Sequence, residues 1–537
     1  MYRQEETAFH DVGIPRDRSM RISAAWVLAG LLVGLMAAFL YFPPALVNEA
    51  PFHDDKAYIN NALIASGRVT AELVRGPYAE ERQPLFWWLI TGILILGAPV
   101  ESVRWVSPLI TSIGVVGIYF LASRLFNDFR VGLLSAVFIS LSDFFVLTTS
   151  YILTDSMGSV IAVLAILCFS LGLRDGVFMW LAGPLVALSI IARDQNLLIV
   201  PVIILSLVWM SRLGLGRKIA ILALLGVALA PALTLPQDRI LQIVSDIVTP
   251  IFRDPSYLLI LIIYVSFMGA VVYKVAIQRN LISRRSNVGE RIFDVGFALG
   301  LALLILHPFF IDNIRLGDTF QIAGKGILSR PVAHAIMVAR ELGIGSELPL
   351  AIRVSTWVWE SIKLLTIPLL MLSVLGAVTL LWRGVRMARP LILWGFLSLL
   401  YVILFTHLEY RFLAQALPPL AILAAYTIVR LWKISRVFPA ILIPLTILFL
   451  LFPSQPLYPI PELSTPRTVQ SLMAGPTPDG WLTQYIAYLE NLTPAGTISI
   501  NPIYPVVGLA TIPVLLVSVY VGLRRITIPD EADFGKA

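Results

Sequence analysis

The sequence predicts an all-α polytopic membrane protein with about 13 to 14 transmembrane helices. Of its 537 residues, 58% are hydrophobic and only 14% are charged, and the mean hydropathy is +0.84. One span of the roughly 30 Å hydrocarbon layer needs about 20 apolar residues, and runs of this kind recur from residue 23 to residue 523. No sizeable soluble domain remains between these runs.

The distribution of charge predicts which connections face the cytoplasm. Arginines precede the first span, 23–43, and short basic loops then alternate with longer loops of mixed charge. Because basic short loops face the cytoplasm, the net charge of +7 needs no nucleic-acid partner to explain it. Four longer connections then lie on the extracytoplasmic face of the cell membrane: 44–84, 236–256, 311–356 and 454–503.

The stretch "LFWWLITGILILGA", residues 85–98, interrupts this alternation. As a helix it would reach only about 21 Å, too short for a comfortable crossing. If it did cross, the basic loop at Arg124 and Arg130 would move outside. We therefore expect a re-entrant or interfacial segment that returns to the outer face. Three tryptophans would then lie at headgroup level: Trp87, Trp88 and Trp105.

Carboxylates stand at the outer ends of two predicted spans. The stretch "PFHDDKAYINNALIASGRV" carries Asp54 and Asp55 before an amphipathic helix suited to the outer surface. After a predicted helix 131–150, "TTSYILTDSMGS" places Asp155 on the same face. An acid at a membrane boundary is costly unless it faces protein or water, which indicates function. Two structural alternatives stay open: Asp155 could cap a helix beginning at residue 156, and an acid at a helix N-terminus stabilises the helix dipole.

Five motifs follow one another between residues 53 and 158, within a region of similarity that covers about residues 20–200: "HDDKAYINNALIASG", "ERQPLFWW", "RWVSPL", "SRLFNDFRVGLLSA" and "TTSYILTDSMG". Their order and spacing resemble the catalytic module of the GT-C membrane glycosyltransferases that use polyprenyl-phosphate sugars. Among these, the protein O-mannosyltransferases and the lipid A aminoarabinose transferases are most similar. Further on, "HLEYRFLAQALPPLAILAAY" resembles the proline-rich closing helix of the family. The resemblance implies a GT-C-like fold with juxtamembrane helices in the first outer loop.

The resemblance also implies catalytic residues. The first-loop acid of the family corresponds to Asp54, its neighbour to Asp55 and the second-loop acid to Asp155. The second acid of the pair is often Glu in the family and is Asp here. The family's usual basic residue before the proline is replaced by Gln83, with Arg82 one place earlier. The difference at Gln83 affects the residue expected to contact the phosphate, and it does not affect the three acids.

Sugar transfer from a polyprenyl phosphate requires an acceptor hydroxyl to be oriented and deprotonated and the departing phosphate to be stabilised. We expect Asp54 to be the base or the acceptor-orienting group. Residues expected to bind substrate are arginines, which can hold phosphate bidentately, and two polar neighbours: Arg75, Arg82, Arg193, Arg411, His407 and Glu409. Arg193 and Arg411 could instead be interfacial anchors.

A divalent metal ion could also be held between the two acidic sites, but the sequence shows no further convergent oxygens that assign its ligands. Thiolate ligands and a disulfide framework are excluded because Cys168 is the single cysteine. The expected partners are a dolichyl or undecaprenyl phosphate sugar donor, membrane lipids, and a protein, lipid or glycan acceptor.

Five parts are expected along the chain: a cytoplasmic N-terminus, 1–22; a catalytic transmembrane module, 23–235, with the first outer loop; further transmembrane helices, 236–453, with the outer loop 311–356; an extracytoplasmic loop, 454–503; and a last transmembrane helix with a cytoplasmic tail, 504–537.

Two other functions stay open. A flippase or transporter of lipid-linked sugars would place charges near the midplane and often show internal symmetry. A polymerase or ligase for lipid-linked sugars would share the substrate, and only the Asp54–Asp55 pair of the first outer loop argues against this function.

Overall fold

The computed structural model describes ten stretches of the chain: residues 24–47, 53–68, 84–173, 175–210, 294, 298–302, 305–306, 350–405, 410–452 and 503–524. These residues include fifteen α-helices and several short 3₁₀ turns, with no strand among them. The all-α prediction is therefore confirmed for the described stretches. The physical reason is that a helix satisfies its own backbone hydrogen bonds, as an apolar segment in lipid requires.

The helices in chain order are α1 Ala24–Val47, α2 His53–Ala65, α3 Pro84–Ile95, α4 Val103–Phe126, α5 Phe129–Leu141, α6 Asp143–Ser150, α7 Asp155–Gly172, α8 Gly176–Ala192, α9 Ile199–Met210, α10 Leu350–Leu365, α11 Ile367–Trp382, α12 Arg389–Phe405, α13 Leu417–Trp432, α14 Val437–Leu451 and α15 Ile503–Arg524. The 3₁₀ turns that matter for the site are Asp194–Leu198, after α8, and Tyr410–Gln415, before α13.

Four of these helices are long and apolar enough to cross a membrane: α1, α4, α7 and α15. If each of two bent pairs, α5 with α6 and α10 with α11, is one span, the number is six within the described stretches. The chain is an integral membrane protein. The total of 13 to 14 spans stays a prediction, because most of residues 211–349 and all of 453–502 lie outside the described residues.

The single helix predicted for residues 131–150 is wrong. The chain leaves the helical conformation at Ser142, and the axes of α5 and α6 differ by 63°. Ser142 and Asp143 explain the break, since short polar side chains favour helix starts over helix interiors. Asp143 lies in the first turn of α6, where a carboxylate interacts favourably with the helix dipole.

A second sharp bend, of 98°, separates α10 from α11 at Thr366. Thr366 has φ +67° and ψ 142°, a conformation that a β-branched residue rarely adopts. Helix α10 begins at Leu350 and so occupies the end of the outer loop predicted for 311–356. It exposes Trp359 and buries Glu360, which suits a helix with one apolar face outward.

Helix α7 is the central helix, since all of its residues are buried. It packs against α8 and α4. Gly158 near its start lies beside Arg193, after the end of α8, and Gly172 at its end lies beside Met179, near the start of α8, so α7 and α8 are antiparallel. Asp155 begins α7, and Asp175 follows its other end, about 27 Å away along the helix axis. Arg124 Nη2 lies 3.8 Å from Asp175 Oδ2. Asp155 and Arg124 therefore lie at opposite ends of the bundle, as the charge pattern predicts. We call these the site end, marked by Asp155, and the basic end, marked by Arg124.

Helix α3 packs against α15, the last helix of the described chain. Gly508 of α15 lies against the backbone of Trp88, whereas Gly92, later in α3, lies against Pro505, earlier in α15. The two helices therefore run antiparallel, and α3 ends beside the start of α15. The next helix, α4, runs on to the basic end. These contacts agree with the prediction that residues 85–98 form a re-entrant or interfacial segment, which begins and ends at the same face of the membrane.

Trp88, one of the three tryptophans expected at headgroup level, is buried inside the protein and not exposed to lipid, so its level in the membrane stays a prediction. Its side chain is only 1% exposed. Helix α15, which packs against α3, lies more than 400 residues later in the sequence, so local hydropathy could not reveal this contact. Trp105, by contrast, is 45% exposed.

The contact of α15 with α3 leads to a stability prediction. Gly508→Ala would place a Cβ against the α3 backbone, and overpacking of this kind typically costs about 1–3 kcal/mol. Gly395→Ala is the matched control, because its Cβ would meet Pro419 at an ordinary 3.4 Å. Both variants gain the helix propensity of Ala. We expect a lower melting temperature in detergent for Gly508→Ala only; equal values would contradict the packing.

Candidate functional site

The site is built around a buried ion pair between the first residue of α7 and the residue that follows α8. Arg193 Nη1 lies 2.8 Å from Asp155 Oδ1, and the two side chains are 6% and 1% exposed. At this distance the two opposite charges form a close ion pair that is almost completely buried. The pair forms because α7 and α8 are antiparallel, so the start of one helix meets the end of the other.

Capping does not explain Asp155. Helix α7 begins at Asp155 itself, one residue earlier than the capping alternative requires, and the N-cap position is Thr154. The Asp155 carboxylate lies in the first turn, where the helix dipole favours it. A neutral Ser or Asn would serve a helix start equally well, without a buried charge that needs an arginine to compensate it. The buried pair with Arg193 is therefore a feature that helix initiation does not require.

The turn Asp194–Leu198 fixes the position of Arg193. Asn196, which is fully buried, donates from Nδ2 to the carbonyl oxygens of Gly158 in α7, at 3.1 Å, and Ser189 in α8, at 2.9 Å. The backbone N–H of Arg193 also donates to the carbonyl oxygen of Ser189, at 3.0 Å. These bonds tie the turn to both helices, so Arg193 is held beside Asp155 by the backbone on each side.

The turn Tyr410–Gln415 brings a second arginine to the pair. The guanidinium carbons of Arg193 and Arg411 lie 5.0 Å and 5.3 Å from the centre of the Phe412 ring. Cation–π attraction operates at such distances. The two guanidinium groups are therefore at most about 10 Å apart, close to one Debye length at moderate salt. Ser159 Oγ of α7 donates to the carbonyl oxygen of Ala414 at 2.8 Å and holds the turn in place.

Helix α2, which carries Asp54 and Asp55 and is called the diacid helix below, also lies at the site end. The Tyr58 hydroxyl of α2 is 3.4 Å from Thr154 Oγ1, directly before Asp155. Asp54 and Asp55 belong to the first turn of α2, about one helical turn before Tyr58. Their carboxylates lie outside the described side chains. The backbone thus brings the first and second acidic sequences to the site end.

Four of the predicted binding residues lie outside the described residues: Arg75, Arg82, His407 and Glu409. The described residues contain no group of three or more His, Cys, Asp or Glu side chains that could hold a metal ion. Asp155 Oδ1 already contacts Arg193. The described side chains alone do not supply the six or more oxygens that a Ca²⁺-like ion prefers, so the metal ligands stay unassigned.

Sequence reasoning missed four residues that organise this site: Tyr58, Thr154, Asn196 and Phe412. Each is adjacent to, or within four residues of, a predicted residue or motif. Asn196 left a signal in "RDQN", a polar group between two apolar runs, and Phe412 directly follows Arg411. These sequence patterns are local, whereas the contacts that form the site join segments far apart in the chain. Ser159 and Ala414, for example, are 255 positions apart.

Residues 81–235 match the family model described as dolichyl-phosphate-mannose-protein mannosyltransferase. The matched range includes Arg82, Asp155 and Arg193 and begins after Asp54 and Asp55. Over this range the match confirms the resemblance to glycosyltransferases that use polyprenyl-phosphate sugars. A comparison with curated proteins found no match.

Several solved structures are similar to the chain at low identity. The oligosaccharyltransferase AglB from Archaeoglobus fulgidus, in complex with an inhibitory peptide and a dolichol-phosphate, has a TM-score of 0.48 and 13% identity, covering 88% of this chain and 60% of that chain. An Archaeoglobus fulgidus oligosaccharyltransferase complex with Zn and sulfate has a TM-score of 0.43 and 15% identity, covering 87% and 57%. ArnT from Cupriavidus metallidurans, bound to undecaprenyl phosphate, has a TM-score of 0.37 and 14% identity, covering 94% and 78%. The chain spans 57% to 60% of the length of the two archaeal structures.

The buried pair leads to a stability prediction. Arg193→Met should leave the Asp155 carboxylate buried without its guanidinium, a change that typically costs about 3–5 kcal/mol. The matched control is Arg124→Met, whose partner Asp175 is 3.8 Å away and 20% exposed, because partly exposed pairs contribute about 1 kcal/mol or less. Thermal unfolding in detergent should show a much larger loss for Arg193→Met.

A second substitution separates charge from packing. Adding Asp155→Asn to Arg193→Met removes the uncompensated carboxylate and should recover part of the lost stability. If the double variant is less stable than Arg193→Met by the full effect of Asp155→Asn, the two residues are not coupled and the ion-pair description is wrong.

Proposed function

We propose that the protein is a glycosyltransferase that moves a sugar from a polyprenyl-phosphate donor to an acceptor hydroxyl. The observation that carries this proposal is the buried Asp155–Arg193 pair, which lies within the matched range 81–235 and next to the helix that bears Asp54 and Asp55. All of these groups lie at one end of the bundle. A lipid-linked phosphate suits such a site, because its tail lies in the bilayer while its charge lies at the boundary.

In the proposed reaction, the acceptor oxygen attacks the anomeric carbon of the sugar, and the bond from that carbon to the phosphate oxygen breaks. The electron pair of this bond leaves with the polyprenyl phosphate. A general base takes the proton of the acceptor hydroxyl. We assign this role to Asp54, the first acid of the diacid helix, with Asp55 as its neighbour and Asp155 as the second acid of the site.

The departing phosphate needs positive charge directed at it. Arg193 is neutralised by Asp155, so this pair adds no net charge. Arg411, whose guanidinium also lies against the Phe412 ring, brings a second arginine side chain to this part of the site. A guanidinium has five N–H donors and can bind phosphate in addition to its other contacts. We therefore assign the phosphate contact to Arg411 first, with Arg82 as the candidate from the first outer loop.

The geometry favours this proposal over a flippase. A transporter would place its charged groups near the bilayer midplane, whereas Asp155 begins one helix and Arg193 follows another at the same end. A polymerase or ligase for lipid-linked sugars would share the substrate, and the match over 81–235 is the observation against it. That family description names a dolichyl-phosphate-linked mannose, which is therefore the first donor to test.

The diacid helix gives the decisive activity prediction. Asp54→Asn keeps the size of the side chain and can still serve a helix start, since Asn and Asp cap about equally well. It cannot take up a proton, and loss of a general base typically costs about 100-fold to 10,000-fold in rate. We expect this loss in the transfer of labelled sugar from polyprenyl phosphate by the purified protein in vesicles.

The matched control for this experiment is Asp55→Asn, in the same turn of α2, for which we expect a smaller loss. Melting temperatures of both variants should stay close to the wild-type value. Near-normal turnover of Asp54→Asn would return the diacid to a structural role. Movement of the lipid-linked sugar from one leaflet of the vesicle membrane to the other, without transfer of the sugar to an acceptor, would instead support a flippase.

The proposed site end faces away from the cytoplasm, which cysteine labelling can test. In a Cys168→Ala background, Glu101→Cys precedes α4 near the site end, and Lys433→Cys follows α13 at the basic end, beside Trp432 and Arg130. Both positions are exposed. An impermeant thiol reagent added to intact cells should modify position 101 and spare position 433. The reverse result would place the site on the cytoplasmic side.

A further inference from the structure

One hydroxyl joins the diacid helix to the buried ion pair. Thr154 Oγ1 lies 3.4 Å from the Tyr58 hydroxyl of α2 and 3.4 Å from Arg193 Nη1. The same Arg193 nitrogen lies 2.8 Å from Asp155 Oδ1. Three segments therefore meet at Thr154: the first-loop helix, the start of α7 and the end of α8.

The donors and acceptors of this cluster can be satisfied together. A guanidinium only donates, so the Arg193 N–H is directed at Thr154 Oγ1, which accepts. The hydroxyl proton of Thr154 stays available, and the contact with Tyr58 can form with either oxygen as the donor. At 3.4 Å both contacts are longer than the usual range for such hydrogen bonds. Each of them therefore adds little to the free energy of unfolding.

Packing alone does not account for the Tyr58 hydroxyl. Tyr58 is 2% exposed, and its ring stands edge-on to Phe86 of α3 with the centroids 5.3 Å apart. A phenylalanine would make the same ring contact without the cost of burying a polar group. The hydroxyl instead reaches the residue before Asp155. Asp54 and Asp55 lie about one turn earlier in the same helix.

We propose that Tyr58 is a positioning residue: through Thr154 it sets the place of α2, and with it the Asp54–Asp55 pair, relative to Asp155 and Arg193. The inference rests on the proposed function, because it assigns Tyr58 a part in sugar transfer. A helix moves its residues together, so a shift at Tyr58 is carried to the acids one turn away. Misplacement of a reacting group by about 1 Å can cost up to about 100-fold in rate.

The first test is Tyr58→Phe with Tyr119→Phe as the matched control. Tyr119 is also a buried tyrosine with one long hydroxyl contact, 3.3 Å to the carbonyl oxygen of Trp26, but it lies towards the basic end. In the vesicle transfer assay, Tyr58→Phe should lower kcat about tenfold or more, with the donor KM and the melting temperature close to wild type. Tyr119→Phe should leave kcat unchanged.

The second test asks whether the shared hydroxyl carries the effect. Thr154→Ser keeps the hydroxyl and should retain most of the activity, whereas Thr154→Val removes it at similar size and should lower kcat. The double variant Tyr58→Phe/Thr154→Val should be no slower than Thr154→Val alone, since both changes break one connection. Losses that multiply in the double variant would overturn the connection through Thr154.

The outcomes separate this inference from the proposed function. If the wild-type protein transfers no sugar to any acceptor supplied, the proposed function fails and the role of Tyr58 fails with it. If the wild-type protein transfers sugar and Tyr58→Phe has the same kcat as Tyr119→Phe, only the inference is overturned.

Discussion

The ion pair between Asp155 and Arg193 is the constraint on which the site end depends. Two opposite charges are buried there in a protein whose surroundings are largely apolar. Each charge alone would be expensive in such a place, so neither can be kept without the other. Since one residue begins α7 and the other follows α8, the pair also fixes how these two helices are aligned along their length.

The surrounding backbone is arranged to keep that alignment. Asn196 ties the turn after α8 to both helices, and Ser159 ties the turn before α13 to α7. The second turn carries Phe412, which brings Arg411 to the Arg193 side of the site. Rigid helices with short polar turns at one end give a site that is held from several directions, and preorganisation of this kind is what transfer chemistry requires.

The two acidic sequences have different kinds of support. Asp155 lies in the fully buried central helix, whereas Asp54 and Asp55 lie in a short helix of the first loop. The short helix is attached to the bundle by its buried side, at Tyr58 and its apolar neighbours. This division suits an enzyme in which one part of the site is fixed in the bundle and the other is brought to it from the membrane surface.

The sequence by itself determined the membrane class, the helical fold and the opposite placement of acidic and basic ends, because hydropathy and charge act locally and need no partner. It also indicated Asp155 as a candidate catalytic acid and Arg193 as a candidate phosphate-binding residue, without relating the two. Only the tertiary structure decided that these two residues pair, that the predicted helix 131–150 breaks at Ser142, and that α15 packs against the α3 backbone at Trp88. These features depend on contacts between segments far apart in the chain, and no local pattern encodes which distant segment will supply the partner.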